Sequence, residues 1–203
     1  MTRTEEVEIE GVPMVATLVP GRGGIGLLAL HGSNEGGTAQ LAETVARRCG
    51  ATSLVFTQPG ARRPVHIPSP RMAADDCVLL REFLERVRLT VSLHGHMRPE
   101  APHSVFLGGR HREAAQVLAE ALTAHAPRFP AVTDLTAIPS GLRGVHPRNP
   151  VNLTPLGGVQ VELPLPARTS GGTDNPPGRV ADALAAGVEA LGRTASLRSA
   201  GLC

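Results

Sequence analysis

An apolar run that stops at a histidine constrains this chain more than any other feature. Ile25 to Leu30 is almost wholly apolar, His31 follows, and Gly32-Ser33-Asn34-Glu35-Gly36-Gly37-Thr38 leads into a helical pattern. A short continuous apolar run suits a strand buried on both faces, as inside a parallel sheet. The glycines after it allow a short loop that folds Glu35 back beside His31. An imidazole and a carboxylate then stand at the carboxyl end of one buried strand, which is half of a metal site. The rest of the chain must supply the other half.

Val7 to Val19 alternates loosely and reads as one or two edge strands, closed by the turn Pro20-Gly21-Arg22-Gly23-Gly24. Thr38 reads as an N-cap, Ala39 to Cys49 carries Leu41, Ala42, Val45 and Ala46 at helical spacing, and Gly50 ends that helix. Ser53 to Thr57 is the next strand, so the sheet is expected to be parallel there. Residues 58–71 hold Pro59, Gly60, Pro64, Pro68 and Pro70, too many breakers for a regular element. A long loop of that kind in a compact domain is often functional. Ala73 to Val87 reads as a helix, Leu89 to Leu93 as a buried strand ending in His94-Gly95-His96, and Val105 to Leu107 as a strand closed by Gly108-Gly109. Arg112 to His125 is an amphipathic helix and Ala131 to Ile138 is strand-like. Pro139 to Pro150 is irregular, and in the strand Gly158 to Leu163 the alternation puts Gln160 and Glu162 on one face. Thr169 to Gly178 is a linker, Val180 to Leu191 a closing helix, and the tail from about residue 193 is expected to fray. The chain is expected to be one domain over residues 1–203, with no internal repeat.

Composition narrows the function classes. A net charge of +2, with the basic residues spread out, gives no footprint for nucleic acid. No apolar run approaches the ~20 residues of a membrane span. The acidic start Met1 to Glu10 is unlike a signal peptide, and Cys49, Cys77 and Cys203 have neither zinc-knuckle nor disulfide-framework spacing. The expected setting is cytoplasmic. All 20 basic residues are Arg, so a P-loop lysine is impossible, and no GxGxxG follows a strand. That excludes the common phosphate-loop readings of Gly36-Gly37.

Two strands that end in His-Gly decide the chemistry. In open α/β sheets, sites form at the carboxyl ends of strands near a topological switch point. His31, Glu35 and His94 together make the two-histidine, one-carboxylate set of many hydrolytic zinc sites, with a fourth position left for water. Glu162, between Val161 and Leu163, is the candidate general base: a carboxylate among apolar neighbours is costly unless paired or functional, and burial raises its pKa toward a useful range. His96 lies two residues beyond His94 and has a supporting role at most.

The motifs His31-Gly32-Ser33-Asn34-Glu35-Gly36-Gly37-Thr38, Ser92-Leu93-His94-Gly95, Leu107-Gly108-Gly109, Asn149-Pro150-Val151-Asn152, Gly158-Val159-Gln160-Val161-Glu162-Leu163 and Arg168 occur in an order that resembles the poly-γ-glutamate hydrolase family. That family is a small, phage-associated branch of the zinc carboxypeptidase-like fold. The resemblance runs from residue 31 to residue 168. It implies an α/β fold with a single mixed, mostly parallel sheet and helices on both faces. It implies one zinc ion per chain on His31, Glu35 and His94, Glu162 as base, and hydrolysis of an amide in a carboxylate-rich substrate. His66-Ile67-Pro68-Ser69 matches the family's His-Ile-x-Ser segment, so His66 and nearby Arg71 become candidates for binding substrate carboxylate, as do Arg110, Asn149, Asn152 and Arg168. The first motif is one residue shorter than the family's usual form. The tyrosine that larger carboxypeptidases hold over the substrate is absent, as this chain has no Tyr. The expected function is a zinc-dependent amidohydrolase acting on γ-glutamyl linkages or a related peptide amide. The alternatives are a non-catalytic, metal-dependent binder of glutamyl polymers on the same fold, and an N-acyl amino acid deacylase. The expected partner is an anionic glutamyl or peptide substrate, with no nucleic acid and no membrane; the oligomeric state is left open.

Overall fold

A computed structural model describes the backbone of residues 1–200 and the side chains of residues 1–193. Eight strands form one sheet: β1 (Arg3–Ile9), β2 (Val12–Val19), β3 (Ile25–Ala29), β4 (Thr52–Thr57), β5 (Leu89–His96), β6 (Val105–Leu107), β7 (Ala131–Val132) and β8 (Gly158–Pro164). Their spatial order is β1-β2-β4-β3-β5-β8-β6-β7. The central block β4-β3-β5-β8 is parallel, as is the β6–β7 pair. β1–β2, β2–β4 and β8–β6 are antiparallel. The sheet is thus mixed, with a parallel centre and antiparallel flanks, and less uniformly parallel than the sequence suggests.

The helices are α1 (Thr38–Cys49), α2 (Val78–Arg86), α3 (Arg112–His125), the short α4 (Leu165–Arg168) and α5 (Gly178–Ala200). α5 runs to Ala200, past Leu191 where the sequence reading ends the closing helix and into the tail expected to fray from about residue 193; the side chains beyond residue 193 lie outside the described residues. From β3 the chain crosses to β4 on one side through α1, then returns past β3 to β5 through α2. Right-handed crossovers in opposite directions put their helices on opposite faces. Accordingly α1 packs with α3 and α5 on one face, around Leu27, Val91, Leu93, Val159 and Val161. α2 packs on the other, around Leu28, Leu30, Leu54 and Phe56. The reversal leaves a switch point between β3 and β5, where a crevice opens beyond the strand ends.

Strand alternation decides what lies under that crevice. In β5 and β8 the residues Val91, Leu93, Val159, Val161 and Leu163 join the three-helix face. Their alternates Ser92, His94, His96, Gln160 and Glu162 point the other way and are buried too. The apolar core beneath α2 does not extend over this half of the second face. Two irregular segments, 58–71 and 139–150, lie over the row of polar side chains instead.

Four further boundaries differ from the sequence reading, each for a physical reason. The cap of α1 is Gly37, at φ 86°, rather than Thr38. A side chain at residue 37 would place Cβ 2.2 Å from the Arg168 carbonyl oxygen, so Gly is required on two counts. β7 ends at Val132 because Asp134 folds the chain into a turn, its carboxylate accepting from the Thr136 amide (2.8 Å) and hydroxyl (2.7 Å). β5 continues through His94 to His96, because β8 pairs with it along that length. α2 starts at Val78, not Ala73, after a separate 3-10 turn at Ala74–Asp76.

The start of α2 is set from a distance. The Glu5 carboxylate on β1 accepts from the amides of Val78 (3.0 Å) and Leu79 (2.8 Å). Burial pulls the Glu5 carboxyl upward, but the Leu79 and Val78 amides more than offset this and hold it below its ordinary value. Glu5→Ala should therefore destabilise the fold by about 1 kcal/mol at pH 7. A depressed carboxyl stabilises the fold above its unfolded pKa and loses that contribution as pH falls through the folded value. Thermal unfolding should thus separate the variant from the wild type at pH 7 and bring the two together at strongly acidic pH. Equal melting temperatures at pH 7 would mean that the cap contributes nothing.

Candidate metal centre

His31 leaves the end of β3 into a single helical turn, in which its carbonyl accepts from the amides of Asn34 (3.0 Å) and Glu35 (2.9 Å). An i, i+4 relation places the two side chains side by side. The short motif thus delivers Glu35 directly: its Oε1 lies 3.1 Å from His31 Nδ1, and its Oε2 accepts from the Gly95 amide at 3.0 Å. His94, across the switch point on β5, brings its Nδ1 to 3.2 Å from His31 Nδ1 and 3.5 Å from Glu35 Oε2.

The far nitrogens explain why the near ones meet. His31 Nε2 donates to the Ile67 carbonyl at 2.7 Å, and His94 Nε2 is 2.9 Å from the Ser92 hydroxyl. With Nε2–H committed, a neutral His31 turns its Nδ1 lone pair toward a carboxylate and a second imidazole. Such a set of electron-rich atoms favours a positive charge among them, either a proton or a metal ion. The separations of 3.1 Å (His31 Nδ1 to Glu35 Oε1), 3.2 Å (between the two imidazole nitrogens) and 3.5 Å (His94 Nδ1 to Glu35 Oε2) also suit zinc. Tetrahedral donors at about 2.0–2.1 Å from zinc stand about 3.3–3.4 Å apart. The residues therefore fit the ion.

A second group overlaps the first. The ligand atoms of His31, Glu35 and His66 all lie within 4.8 Å of one another. His66 Nε2 is 4.0 Å from Glu35 Oε1, and its side chain is 56% exposed. His94 is nearer, is 2% exposed and has its far nitrogen engaged, so its geometry is the better one for a resident ion. His66 stands at the mouth with its ring 4.4 Å from that of His31. The backbone around it is held on both sides. Asn34 Nδ2 donates to the Pro64 carbonyl (2.8 Å), and the Gln58 amide pairs with both backbone groups of Val65 (2.7 and 2.8 Å).

Glu162 lies opposite His94 in the β5–β8 register and is 3% exposed. Burial pushes its carboxyl up to about 7; the His94 imidazole opposes this, Glu35 adds to it, and the Gln160 hydrogen bond and Arg168 oppose it. Burial also raises the Glu35 carboxyl, but the adjacent imidazoles of His94 and His31 outweigh it and hold Glu35 well below the usual range. Two carboxylates in one site are thus driven apart in proton affinity, which is how acid–base roles are divided.

His31, Glu35, His94 and Glu162 line one cleft of about 740 Å³, together with His66 and Asn149. His96 does not line it, its Nε2 lying 2.9 Å from the Ser104 carbonyl, and neither do four of the candidate substrate-binding residues. Arg71 pairs with Glu10 at 3.3 Å on the surface. Arg110 is exposed, and its amide donates to Asn152 Oδ1 at 3.2 Å. Asn152 in turn donates to the carbonyls of Gly144 (2.7 Å) and His146 (3.1 Å), so its amide is spent on the loop. Arg168 is 4% exposed and donates to the Gly36 carbonyl, clamping the metal-motif loop from outside the cleft. Sequence reasoning missed the roles of Gln160 and Ser92. Alternation exposes both, since each stands two residues before a site residue on the same strand face.

A profile described as Poly-gamma-glutamate hydrolase matches residues 4–171. No curated protein matches the chain by sequence. Among solved structures, a bacteriophage poly-gamma-glutamate hydrolase superposes with TM-score 0.73 at 21% identity, covering 94% of this chain and 93% of that one. The zinc-free apo form of YNDL superposes with TM-score 0.71 at 23% identity, covering 89% and 90%. A metallo-carboxypeptidase from Burkholderia cenocepacia gives TM-score 0.52 at 14% identity, covering 97% of this chain but 65% of that one. At these identities the superpositions establish the fold, which is carboxypeptidase-like. The profile reaches all eight strands and covers both loops over the cleft, and the chain belongs to the poly-gamma-glutamate hydrolase family.

Proposed function

We propose that this hydrolase-family chain is a zinc-dependent amidohydrolase that cleaves γ-glutamyl or related amide bonds in carboxylate-rich substrates. His31, Glu35 and His94 would hold one zinc per chain, and Glu162 would act as the base. The observation that carries the reading is the convergence of two imidazole nitrogens and the two oxygens of one carboxylate, with separations of 3.1–3.5 Å, in one cleft with a buried carboxylate raised to about 7. Zinc, when bound, would supply Lewis acidity, bringing the pKa of water toward about 7 and polarising a carbonyl. Glu162 would take a proton from the attacking water and return it to the leaving nitrogen. A group titrating near neutrality does both with little loss in either direction.

The walls support an anionic substrate at the rim and a neutral group at the floor. Among the described residues no arginine lines the cleft, whereas exposed Arg62, Arg63 and Arg148 sit on the two loops that form it. Those two segments, 58–71 and 139–150, contain no acidic residue. His66, at the mouth, is the substrate contact favoured among the residues singled out in the sequence. Pro68, Pro70, Leu142 and Val145 give the cleft an apolar side, which favours an N-acyl amino acid as a second substrate reading.

Elemental analysis of purified protein should find about one zinc per chain. The loaded protein should release new amines from poly-γ-glutamate, lose that activity on chelation and regain it with zinc. Failure to take up zinc, or release that continues undiminished after chelation, would overturn the reading. Faster turnover of an N-acyl glutamate than of the polymer would move the assignment to the second substrate.

A further inference from the structure

We propose that Gln160 is a positioning residue for the reaction: it fixes one oxygen of Glu162 and couples that carboxylate to the 139–150 wall of the cleft. The inference rests on Glu162 being the base.

The orientation of each amide in this chain of hydrogen bonds follows from one unambiguous donor. The backbone N–H of Val151 donates to Asn149 Oδ1 at 3.2 Å. That assigns the other end of the Asn149 amide as nitrogen, and Nδ2 donates to Gln160 Oε1 at 2.9 Å. The Gln160 oxygen is then the acceptor, so its nitrogen faces the carboxylate, and Nε2 donates to Glu162 Oε1 at 2.7 Å. The second Nε2 proton is directed at the Leu142 carbonyl, 3.4 Å away. Asn149, Gln160 and Glu162 are 3%, 4% and 3% exposed, so water competes weakly for these bonds.

The wall is built against this amide. Gly144 has φ +63°, and a Cβ there would lie 2.5 Å from Gln160 Oε1. Only a glycine lets the backbone of 139–150 rest directly on the Gln160 side chain. The wall thus touches Gln160 at Leu142, Gly144 and Asn149, and among the described residues Gln160 is the one that hydrogen-bonds the Glu162 carboxylate.

A neutral amide is the suitable partner for this task. An arginine or lysine against Glu162 would favour the ionised carboxylate strongly and weaken it as a proton acceptor. An amide holds Oε1 in place with a smaller effect, and leaves Oε2 as the oxygen that exchanges a proton. Loss of the hold would let the carboxylate rotate away from the attacking water, and misplacement by about 1 Å can cost on the order of 10²-fold in rate.

The test compares wild type, Gln160→Met, Asn149→Ala and Glu162→Gln, each loaded with zinc and assayed on the polymer. Gln160→Met keeps the length of the side chain and removes both hydrogen-bonding ends. It should lower kcat by about 10- to 100-fold, the range found for groups that orient reacting residues from behind. KM should stay within about twofold, and zinc content should stay near one per chain. Asn149→Ala, which leaves Gln160 in place but releases its anchor, should lower kcat by less, and the double variant should be no worse than Gln160→Met alone. Should Gln160→Met fail to fold, a fall in kcat at constant KM in Asn149→Ala carries the same conclusion. The proposal is overturned if a folded, zinc-loaded Gln160→Met keeps kcat within about threefold of wild type, if only KM changes, or if zinc is lost. Full turnover in Glu162→Gln would instead remove the base assignment itself, so the two failures are distinguishable.

Discussion

Glu162→Gln is expected to abolish most turnover, by about 10²- to 10⁴-fold in kcat, while the protein keeps its zinc. The substitution is close to isosteric, and the new amide can still turn its oxygen to the Gln160 N–H that now holds Oε1 at 2.7 Å. What it removes is the ability to accept and return a proton at that oxygen pair. A non-catalytic binder on the same fold would show no turnover to lose, so the measurement separates the two classes directly.

The same variant carries a second signature of opposite sign. Burial raises the Glu162 carboxyl from its ordinary 4.5 to about 7. A raised carboxyl binds its proton more tightly folded than unfolded, so it favours the fold below the unfolded value and loses that advantage as pH rises through the folded one. Metal-stripped Glu162→Gln should therefore melt above metal-stripped wild type at pH 8, with the gap closing on acidification toward pH 5. A wild type that melts higher at pH 8 would show that the carboxylate is not strained by its site.

His94→Ala is expected to lower zinc content from about one per chain to near zero and to eliminate hydrolysis. It removes one buried donor and leaves His31 and Glu35 with only the exposed His66, 4.0 Å from Glu35, as a third. Ser92→Ala should do something milder. It removes the hydroxyl 2.9 Å from His94 Nε2, so the imidazole keeps its place but loses its partner. Zinc affinity should fall by about 10- to 100-fold, measured by competition with a chelator, with the ion still bound at saturation. His66→Ala is the control that decides between the two overlapping donor groups: retained zinc assigns His94 to the ion, and lost zinc assigns His66.

The residues that meet in the cleft were legible in this sequence because strand periodicity sorts them. In Leu89-Thr90-Val91-Ser92-Leu93-His94 and Val159-Gln160-Val161-Glu162-Leu163, apolar residues alternate with polar ones. A period of two must put each set on its own face, whatever the rest of the fold does. The strand-helix-strand unit from Ile25 to Thr57 likewise had to be parallel, because a helix of that length returns the chain to its starting end. His31 and Glu35, joined by one helical turn, were bound to be neighbours.

Everything that depends on contacts between distant segments was decided by the tertiary structure. Which arginines reach the cleft could not be read locally: Arg71 is taken by Glu10, 61 residues away, and Arg168 by the Gly36 carbonyl, 132 residues away. The true start of α2 follows from Glu5 on another strand. The loop that carries His66 is held by Asn34 and Gln58. Alternation is a property of each strand's own backbone and so is written in the sequence. Hydrogen-bond partners and burial follow from which segments the fold brings together, and the opposite crossovers around β3 fix that by placing His31 and His94 on either side of one crevice.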